Sequence, residues 1–153
     1  MSTMHRRTLV TAAAGLGAAL VLKEARGDDK PKDKGTAAPS PAQKAVIEAS
    51  ARCLDAGSTC LARCTDHLAA GMANMADCQR AVMNMLAVVE AMGAAARYGT
   101  ADPANLKALA KVCAAFCRAC EKACEPHAKM HAECKACGEA CRDCAKACET
   151  LAA

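Results

Sequence analysis

Apolar residues recur every three or four positions along most of the chain after residue 40, the spacing of side chains on one face of an α-helix. In the last third of the chain, cysteine fills most of these positions. At about 100° per residue, one run of cysteines spans an arc of roughly 60° and the next roughly 80°. The runs are Cys113, Cys117, Cys120 and Cys124, then Cys134, Cys137, Cys141, Cys144 and Cys148. Each run predicts a helix whose inward face carries sulfur instead of the usual branched aliphatic side chains.

Helix start and stop signals divide this part of the chain into four segments. Ser40 and Pro41 are favourable at a helix start, and Gln43 completes a capping-box pattern. Asp102 and Pro103 form a second such start, and glycine or proline marks the breaks between segments. The predicted helices cover about residues 40–71, 74–99, 102–124 and 127–150. Four helices of this length with short loops predict an all-α, up-down-up-down four-helix bundle with a cysteine-lined core.

The inward faces of the first two helices also carry sulfur. Their positions are Val46, Cys53, Cys60, Cys64 and His67, then Met75, Cys78, Val82, Met85, Val89 and Met92. The predicted topology brings the first and third loops to one end of the bundle, which we call the mouth; the opposite end is aliphatic. The mouth residues are His67, Met72, Met75, His127, Met130 and His131. Imidazole and thioether groups suit soft metal ions, so we predict that the mouth is an access port for such ions. The alternative is that these residues have no ligand role, because loops favour polar residues and methionine fills gaps in packing.

The first 39 residues differ from the rest of the chain. Residues 1–27 resemble a twin-arginine export signal, because two arginines precede a weakly apolar stretch of 15 residues, shorter than the about 20 that span a membrane. A frayed N-terminal helix is the alternative. Residues 28–39 are rich in Lys, Asp, Pro and Gly and predict a flexible linker to the bundle at 40–153. The leader predicts export through the twin-arginine pathway to the periplasm of a bacterium.

Composition limits the classes of partner. The 153 residues include one Phe, one Tyr and no Trp, but thirteen Cys and eight Met. The formal net charge is +4, and basic residues of the predicted leader account for most of it. A nearly neutral body without a basic patch or stacking aromatic residues argues against nucleic acid binding. We expect no membrane association once the leader is removed.

Three interpretations account for cysteines on inward faces. Cysteine can pack as a small hydrophobe, but this does not explain why so few other residues occupy the stripes. A disulfide scaffold suits an exported protein, yet neighbours one turn apart hold Cβ atoms about 5–6 Å apart, whereas a disulfide needs about 3.8 Å. Bridges between helices remain possible. We favour the third interpretation, metal binding, because two thiolates one turn apart can hold an ion between them.

Among metals, Cu(I) fits the pattern best. Many sulfur ligands with Met nearby select Cu(I), whereas zinc prefers isolated four-ligand sites and iron–sulfur motifs usually lie on loops. Burying many bare thiolates is costly, and one Cu(I) per thiolate leaves the core neutral. We therefore predict several Cu(I) ions per chain, with a capacity near one ion per cysteine and about one proton released per cysteine.

The predicted role is storage and not catalysis. A thiol oxidoreductase needs an exposed cysteine with a lowered pKa, typically at a helix N-terminus next to a strand, and no segment reads as a strand. A copper chaperone needs only one or two sites. The alternatives are a disulfide-stabilised or zinc-binding exported helical protein, and a thiol oxidoreductase.

The run from Ala132 to Cys141, continuing through Cys144 and Cys148, closely resembles the Csp copper storage proteins. The resemblance covers about residues 42–150. It implies a bundle that stores many Cu(I) ions for copper supply or detoxification, a mouth with Met and His ligands, and a homo-tetramer. Exported members of the family supply copper in methane-oxidising bacteria, but the resemblance identifies no receiving protein. The predicted ligands are Cys53, Cys60, Cys64, Cys78, Cys113, Cys117, Cys120, Cys124, Cys134, Cys137, Cys141, Cys144, Cys148, His67, Met72 and Met75.

The chain departs from the family pattern mainly at the mouth. His67 stands where the resemblance leads us to expect a methionine, and Val89 stands where it leads us to expect a further cysteine. The loop between Cys124 and Cys134 is longer than in the family and contributes two of the mouth histidines. These differences concern how copper enters and in which order sites fill, and they leave the cysteine lumen unchanged.

Overall fold

A computed structural model describes residues 38–153, and in this range the protein is entirely helical apart from its connections. The prediction of an all-α fold is therefore confirmed. Four α-helices are joined by short connections, two of which contain a single turn of 3-10 helix, at Ala73–Met75 and Glu125–His127. The helices are α1 at Pro41–Ala69, α2 at Ala76–Tyr98, α3 at Pro103–Cys124 and α4 at Ala132–Ala152.

The predicted caps form and set where the helices begin. The Ser40 hydroxyl accepts a hydrogen bond from the Gln43 backbone N–H at 3.2 Å, while the Gln43 side chain accepts one from the Ser40 N–H at 2.8 Å. The Asp102 carboxylate accepts hydrogen bonds from two N–H groups in the first turn of α3, the nearer at 2.9 Å. Such caps satisfy backbone donors that the helix leaves unpaired, and each stabilises its helix by about 1 kcal/mol.

The fourth helix begins later than the sequence predicts, and this shapes the mouth. We expected it to start at His127, but α4 starts at Ala132. The intervening residues form a 3-10 turn followed by a tight loop, in which the His127 carbonyl accepts hydrogen bonds from the N–H groups of Met130 and His131 at 3.0 and 2.9 Å. Because Pro126 cannot continue α3, the chain uses this turn to reverse direction. As a result His127 is buried at the end of the 3-10 turn and does not begin α4.

Each helix packs against two neighbours, which makes a closed ring of four. Helix α1 packs against α2 and α4, and α3 packs against the same two helices. With short loops between consecutive helices, this is the predicted up-down-up-down bundle. At the α1–α2 contact, Gly57 leaves room for side chains of α2, because a Cβ at this position would lie 2.7 Å from the Met85 Cε.

The core divides into a sulfur region and an aliphatic region. All thirteen cysteines are buried, and they occupy the bundle from the mouth to beyond its middle. Towards the far end the large buried side chains are aliphatic or thioether groups, namely Val46, Val89, Met92 and Leu106. Burying such side chains stabilises the fold by about 1.5–3 kcal/mol each. The far end therefore holds the helices together independently of the cysteines.

Ion pairs on the surface join α4 to its neighbours. Arg118 of α3 binds Glu149 of α4 at 3.0 Å, and Arg142 of α4 binds Glu121 of α3 at 2.6 Å. The pair of Arg118 and Glu149 is exposed on both sides and contributes at most about 1 kcal/mol, whereas the Glu121 side chain of the other pair is half-buried. Within residues 38–153, no helix has the length and hydrophobicity that a membrane crossing requires.

Candidate metal centre

The thirteen thiols form a single column along the bundle axis, and every helix contributes. Helix α1 supplies three of them, α2 one, α3 four and α4 five. All thirteen are free, and no pair is joined as a disulfide. The spacing of three or four residues is what turns each helix's cysteines inward together. The structure thus brings together every cysteine that the sequence assigned to the site.

The closest sulfur atoms belong to different helices. Sγ–Sγ distances are 3.7 Å for Cys53–Cys141 and Cys78–Cys124, and 3.8 Å for Cys60–Cys134 and Cys120–Cys137. A disulfide needs about 2.05 Å, whereas metal–sulfur bonds of about 2.3 Å place sulfur ligands about 3.8 Å apart in a tetrahedral site and about 4.0 Å apart in a trigonal site. The column is therefore spaced for shared metal ions between helices. Sequence reasoning anticipated ions between thiolates one turn apart on one helix, and it missed this cross-helix spacing.

Five groups of cysteines have sulfur atoms that all lie within 4.8 Å of one another. Every cysteine belongs to at least one group, and Cys60, Cys137 and Cys144 each belong to two. The groups are Cys60, Cys64, Cys78 and Cys134; Cys53, Cys117 and Cys144; Cys60, Cys124 and Cys137; Cys113, Cys144 and Cys148; and Cys120, Cys137 and Cys141. Shared members connect the groups into larger clusters, as expected of sulfur atoms that bridge metal ions.

Burial keeps most of these thiols protonated in the absence of metal. It raises the pKa of Cys64 to about 12 and that of Cys134 to about 11, since a thiolate is poorly solvated there. Hydrogen bonds with neighbouring thiols, together with burial, also raise the pKa of Cys113, Cys124, Cys141 and Cys148.

A few thiols are instead stabilised as thiolates by the protons of their neighbours. A hydrogen bond from Cys124, supported by one from Cys60, lowers the pKa of Cys78 to about 3. Hydrogen bonds from adjacent thiols likewise lower the pKa of Cys137 and Cys144. The thiols with raised pKa values hold protons that binding of metal ions would release.

The inner end of the column contacts two residues to which the sequence analysis gave no ligand role. The Cys53 thiol donates a hydrogen bond to the Met85 Sδ at 3.4 Å. The hydroxyl of Ser50, which is buried, lies 4.0 Å from the Cys144 Sγ. Met85 was predicted to face inward, but its contact with the Cys53 thiol depends on how α1 and α2 pack, so the sequence did not indicate it.

Three histidines converge at the mouth. The rings of His67 and His131 have centroids 4.5 Å apart, and His127 lies 6.5 Å from His131. His127 is only 7% exposed, and the Nε2 atom of His67 is buried without a hydrogen-bond partner among residues 38–153. His131 lies three residues before Cys134, and His67 three residues after Cys64, so the imidazoles lie next to the outermost cysteine group.

The mouth methionines differ in exposure. Met75 is fully buried, Met72 is exposed on the connection between α1 and α2, and Met130 is 71% exposed. Sequence reasoning selected His67, Met72 and Met75 as mouth ligands. It also placed His127 and His131 at the mouth but gave them no ligand role, although the structure brings the His131 ring next to His67 and the His127 ring near His131. Their position in one connection, seven and three residues before Cys134, could have indicated such a role.

A buried column of thiols with an imidazole-lined opening defines a protein that sequesters soft metal ions. The family model of copper storage proteins matches residues 40–153, which is most of the chain. The chain therefore belongs to the copper storage protein (Csp) family, whose role is to bind and store many Cu(I) ions. No curated relative matches the chain.

Solved structures of copper storage proteins are similar to this chain. The Streptomyces lividans protein loaded with 10 copper equivalents is 34% identical, with a TM-score of 0.66, over 72% of this chain and 83% of that chain. Copper storage protein 3 of Bacillus subtilis in its apo form is 29% identical, with a TM-score of 0.61, over 72% of this chain and 98% of that chain. The Cu(I)-bound Bacillus subtilis protein is 27% identical, with a TM-score of 0.63, over 73% and 99%.

The prediction of export to the periplasm is wrong. The Streptomyces lividans protein loaded with five coppers, 33% identical over 72% of this chain and 92% of that chain, is a cytosolic copper storage protein. Two arginines before an alanine-rich stretch are a weak signal by themselves. The predicted leader, 1–27, and most of the predicted linker, 28–39, lie outside the described residues.

Proposed function

We propose that the thirteen cysteines are the storage ligands and that residues 40–153 form the storage domain. The observation that supports this most is that every cysteine has sulfur neighbours within 4.8 Å from at least one other helix. Cu(I) prefers soft, low-coordinate sulfur environments, and bridging thiolates let each ion share ligands with the next. The helix that begins this domain starts at Pro41, next to the first residue that the family model matches.

The expected capacity is near one Cu(I) per cysteine. Each Cu(I) balances one thiolate, so this ratio leaves the buried column neutral and avoids the large cost of isolated buried charge. Loading releases about one proton per cysteine, since most of the thiols are protonated beforehand. The test is an anaerobic titration of the reduced apo protein with Cu(I), with proton release followed in weak buffer. Saturation at two or three ions would contradict the proposal.

Zinc is a second candidate ligand at one place only. Cys60, Cys64, Cys78 and Cys134 form the single four-member group among the described residues, and four thiolates are a typical structural zinc site. Under the proposal, zinc binds at about one equivalent and Cu(I) displaces it, because the other groups have three members and share ligands. A zinc capacity close to that for Cu(I) would argue against a copper store.

His67, Met72 and Met75 form the proposed loading site at the mouth. The proposal rests on imidazole and thioether groups being weaker and more exchangeable ligands than thiolates, and on the orphaned Nε2 atom of His67. The neighbouring rings of His127 and His131 extend the same surface. An ion held here can move to the thiolates of Cys64 and the group around it without first crossing an apolar layer.

We infer that the protein is a homo-oligomer without catalytic activity. Apolar side chains on the outer surface support association: Met83 of α2 is exposed, and so are Val112 and Phe116, which share one face of α3. The resemblance to the family implies a tetramer. Light scattering on the wild type and on Phe116→Glu tests this. The absence of thiol–disulfide exchange faster than that of free cysteine would support a store over an oxidoreductase.

A further inference from the structure

Met85 of α2 brings a thioether into direct contact with the sulfur column, away from the mouth. The Cys53 thiol donates a hydrogen bond to the Met85 Sδ at 3.4 Å, and both side chains are fully buried. The thioether accepts this bond through a lone pair, and a thioether binds a soft metal ion through a lone pair as well. The thiol proton between the two sulfur atoms therefore occupies a place where an ion of the same charge could bind.

Met85 lies where the sulfur column ends on the side of α1 and α2. Helix α1 has no cysteine before Cys53, and its buried residues there carry no sulfur. Helix α2 supplies Cys78 alone, and Met85 is the next sulfur-bearing side chain on its buried face. The group that contains Cys53 takes its other two cysteines from α3 and α4. An ion bound to Cys53 thus has no thiolate from α2 beside it, and the Met85 thioether occupies that place.

Gly57 of α1 makes room for the Met85 methyl group. A Cβ at position 57 would lie 2.7 Å from the Met85 Cε, closer than the about 3.5–4.0 Å of an ordinary contact between carbon atoms. Gly57 and Cys53 are four residues apart and share one face of α1. The methyl group therefore lies against the glycine while the sulfur atom lies against the thiol.

A thioether completes the coordination of an ion without adding charge. The sulfur atoms of Cys53, Cys117 and Cys144 all lie within 4.8 Å of one another. A fourth thiolate would make this buried group more negative, which is costly, whereas the Met85 sulfur is neutral. Thioethers also favour Cu(I), while zinc is bound by thiolate, imidazole and carboxylate groups.

The distance between the two sulfur atoms needs a small adjustment. Metal–sulfur bonds of about 2.3 Å place the ligands of a trigonal ion about 4.0 Å apart, so the Met85 Sδ must move about 0.6 Å from its position 3.4 Å from Cys53. Methionine is unbranched and has three rotatable bonds, so a movement of this size is available to it inside a packed core.

We propose that Met85 is a Cu(I) ligand, and that its thioether completes the coordination of the ion held by Cys53. The proposal rests on the storage role of the cysteines proposed above. Bonds form from Cu(I) to the Cys53 Sγ and to the Met85 Sδ, and the bond between the Cys53 Sγ and its proton breaks. The proton leaves to solvent, so charge balances, and copper stays in the +1 state throughout.

Met85→Leu tests this ligand, with Met92→Leu as the matched control. Both methionines are fully buried on the same face of α2, but Met92 accepts no hydrogen bond from a thiol within residues 38–153. Leucine keeps the volume of methionine and removes the thioether. In an anaerobic titration against a competing chromophoric chelator, Met85→Leu should retain about one Cu(I) fewer than the wild type, and Met92→Leu should retain the full number.

The wild type supplies a second readout that does not depend on a variant. Cu(I) is diamagnetic, so the resonances of isotopically labelled methionine methyl groups can be followed by NMR during loading, and that of Met85 is assigned through its contact with Gly57. Coordination should shift the Met85 resonance several times more than that of Met92.

Equal shifts of the two resonances, or equal numbers of ions retained in Met85→Leu and Met92→Leu, would overturn the assignment of Met85 as a ligand. A wild-type capacity of only two or three ions would refute the storage proposal instead. The capacity of the wild type is therefore measured first.

Discussion

Replacing a cysteine that joins two sulfur groups should remove more copper than replacing one that belongs to a single group. Cys137 belongs to two of the five groups, and Cys148 belongs to one. Both lie on α4, and neither has any exposed surface. Cys137→Ser and Cys148→Ser are therefore a matched pair of variants. They differ mainly in the number of sulfur groups that lose a member.

The expected losses follow from shared ligation. A serine hydroxyl is a poor ligand for Cu(I), so Cys148→Ser should lower the capacity by about one ion and Cys137→Ser by about two. Each variant buries a hydroxyl in place of a thiol, which costs the apo protein about 1–3 kcal/mol when the hydroxyl finds no good partner. This cost is common to both variants, so it does not account for a difference in capacity.

The assay is an anaerobic Cu(I) titration of each reduced variant in competition with a chromophoric chelator. Circular dichroism on the same samples reports whether the apo bundle is folded. Equal losses in the two variants would refute the idea that shared sulfur atoms bridge ions. A larger loss in Cys148→Ser would contradict the assignment of Cys137 as the residue that joins two groups.

Three further predictions concern pH, the mouth and metal removal. The stability that the apo protein gains from protonated Cys64 and Cys134 should be fully present below about pH 8.5, the pKa of an unfolded cysteine, and should be lost as the pH rises towards their raised pKa values of about 12 and about 11. Thermal melts between about pH 8 and about 11 test this, and a melting temperature that stays constant over that range would contradict it. Replacing His67, Met72 and Met75 together with alanine should slow copper loading in stopped-flow measurements but barely change the capacity, and a capacity that falls by half would refute the mouth assignment. Stripping copper with a strong chelator should lower the melting temperature markedly, because ions that bind only the folded state stabilise it by mass action; equal melting temperatures for the apo and loaded forms would count against this.

The fold could be predicted because its signals are local. The capping box at Ser40 and the cap at Asp102 mark helix starts with specific hydrogen bonds, and the cysteine spacing determines which face turns inward. The start of α4 was missed, because residues after Pro126 can continue as a helix or form a turn with similar propensity. Only the packing of His127 into the bundle selects the turn.

The residues that form the site could be predicted more fully than the distances between them. The sequence identifies every cysteine of the column, since each lies on an inward face. It does not identify which sulfur atoms meet, because contacts such as Cys53–Cys141 at 3.7 Å depend on the relative height of two helices. The ring contact between His67 and His131 depends on the tertiary fold in the same way. The cellular compartment of the protein was predicted wrongly, because the two arginines and the apolar stretch near the N-terminus are a weak signal.

The separation of the core into a sulfur half and an aliphatic half has a consequence for the lifetime of the protein. An empty copy holds its helices together at the far end, where Val46, Val89 and Met92 pack, whereas near the mouth its buried contacts are mostly between thiols. In a copper-loaded copy, bonds between copper and the thiolates would also join the helices in the sulfur half. Proteases act on segments that open locally, so they should attack empty copies at the loop between α3 and α4 and spare filled ones. The cell would then keep the copies that carry copper and degrade those that carry none.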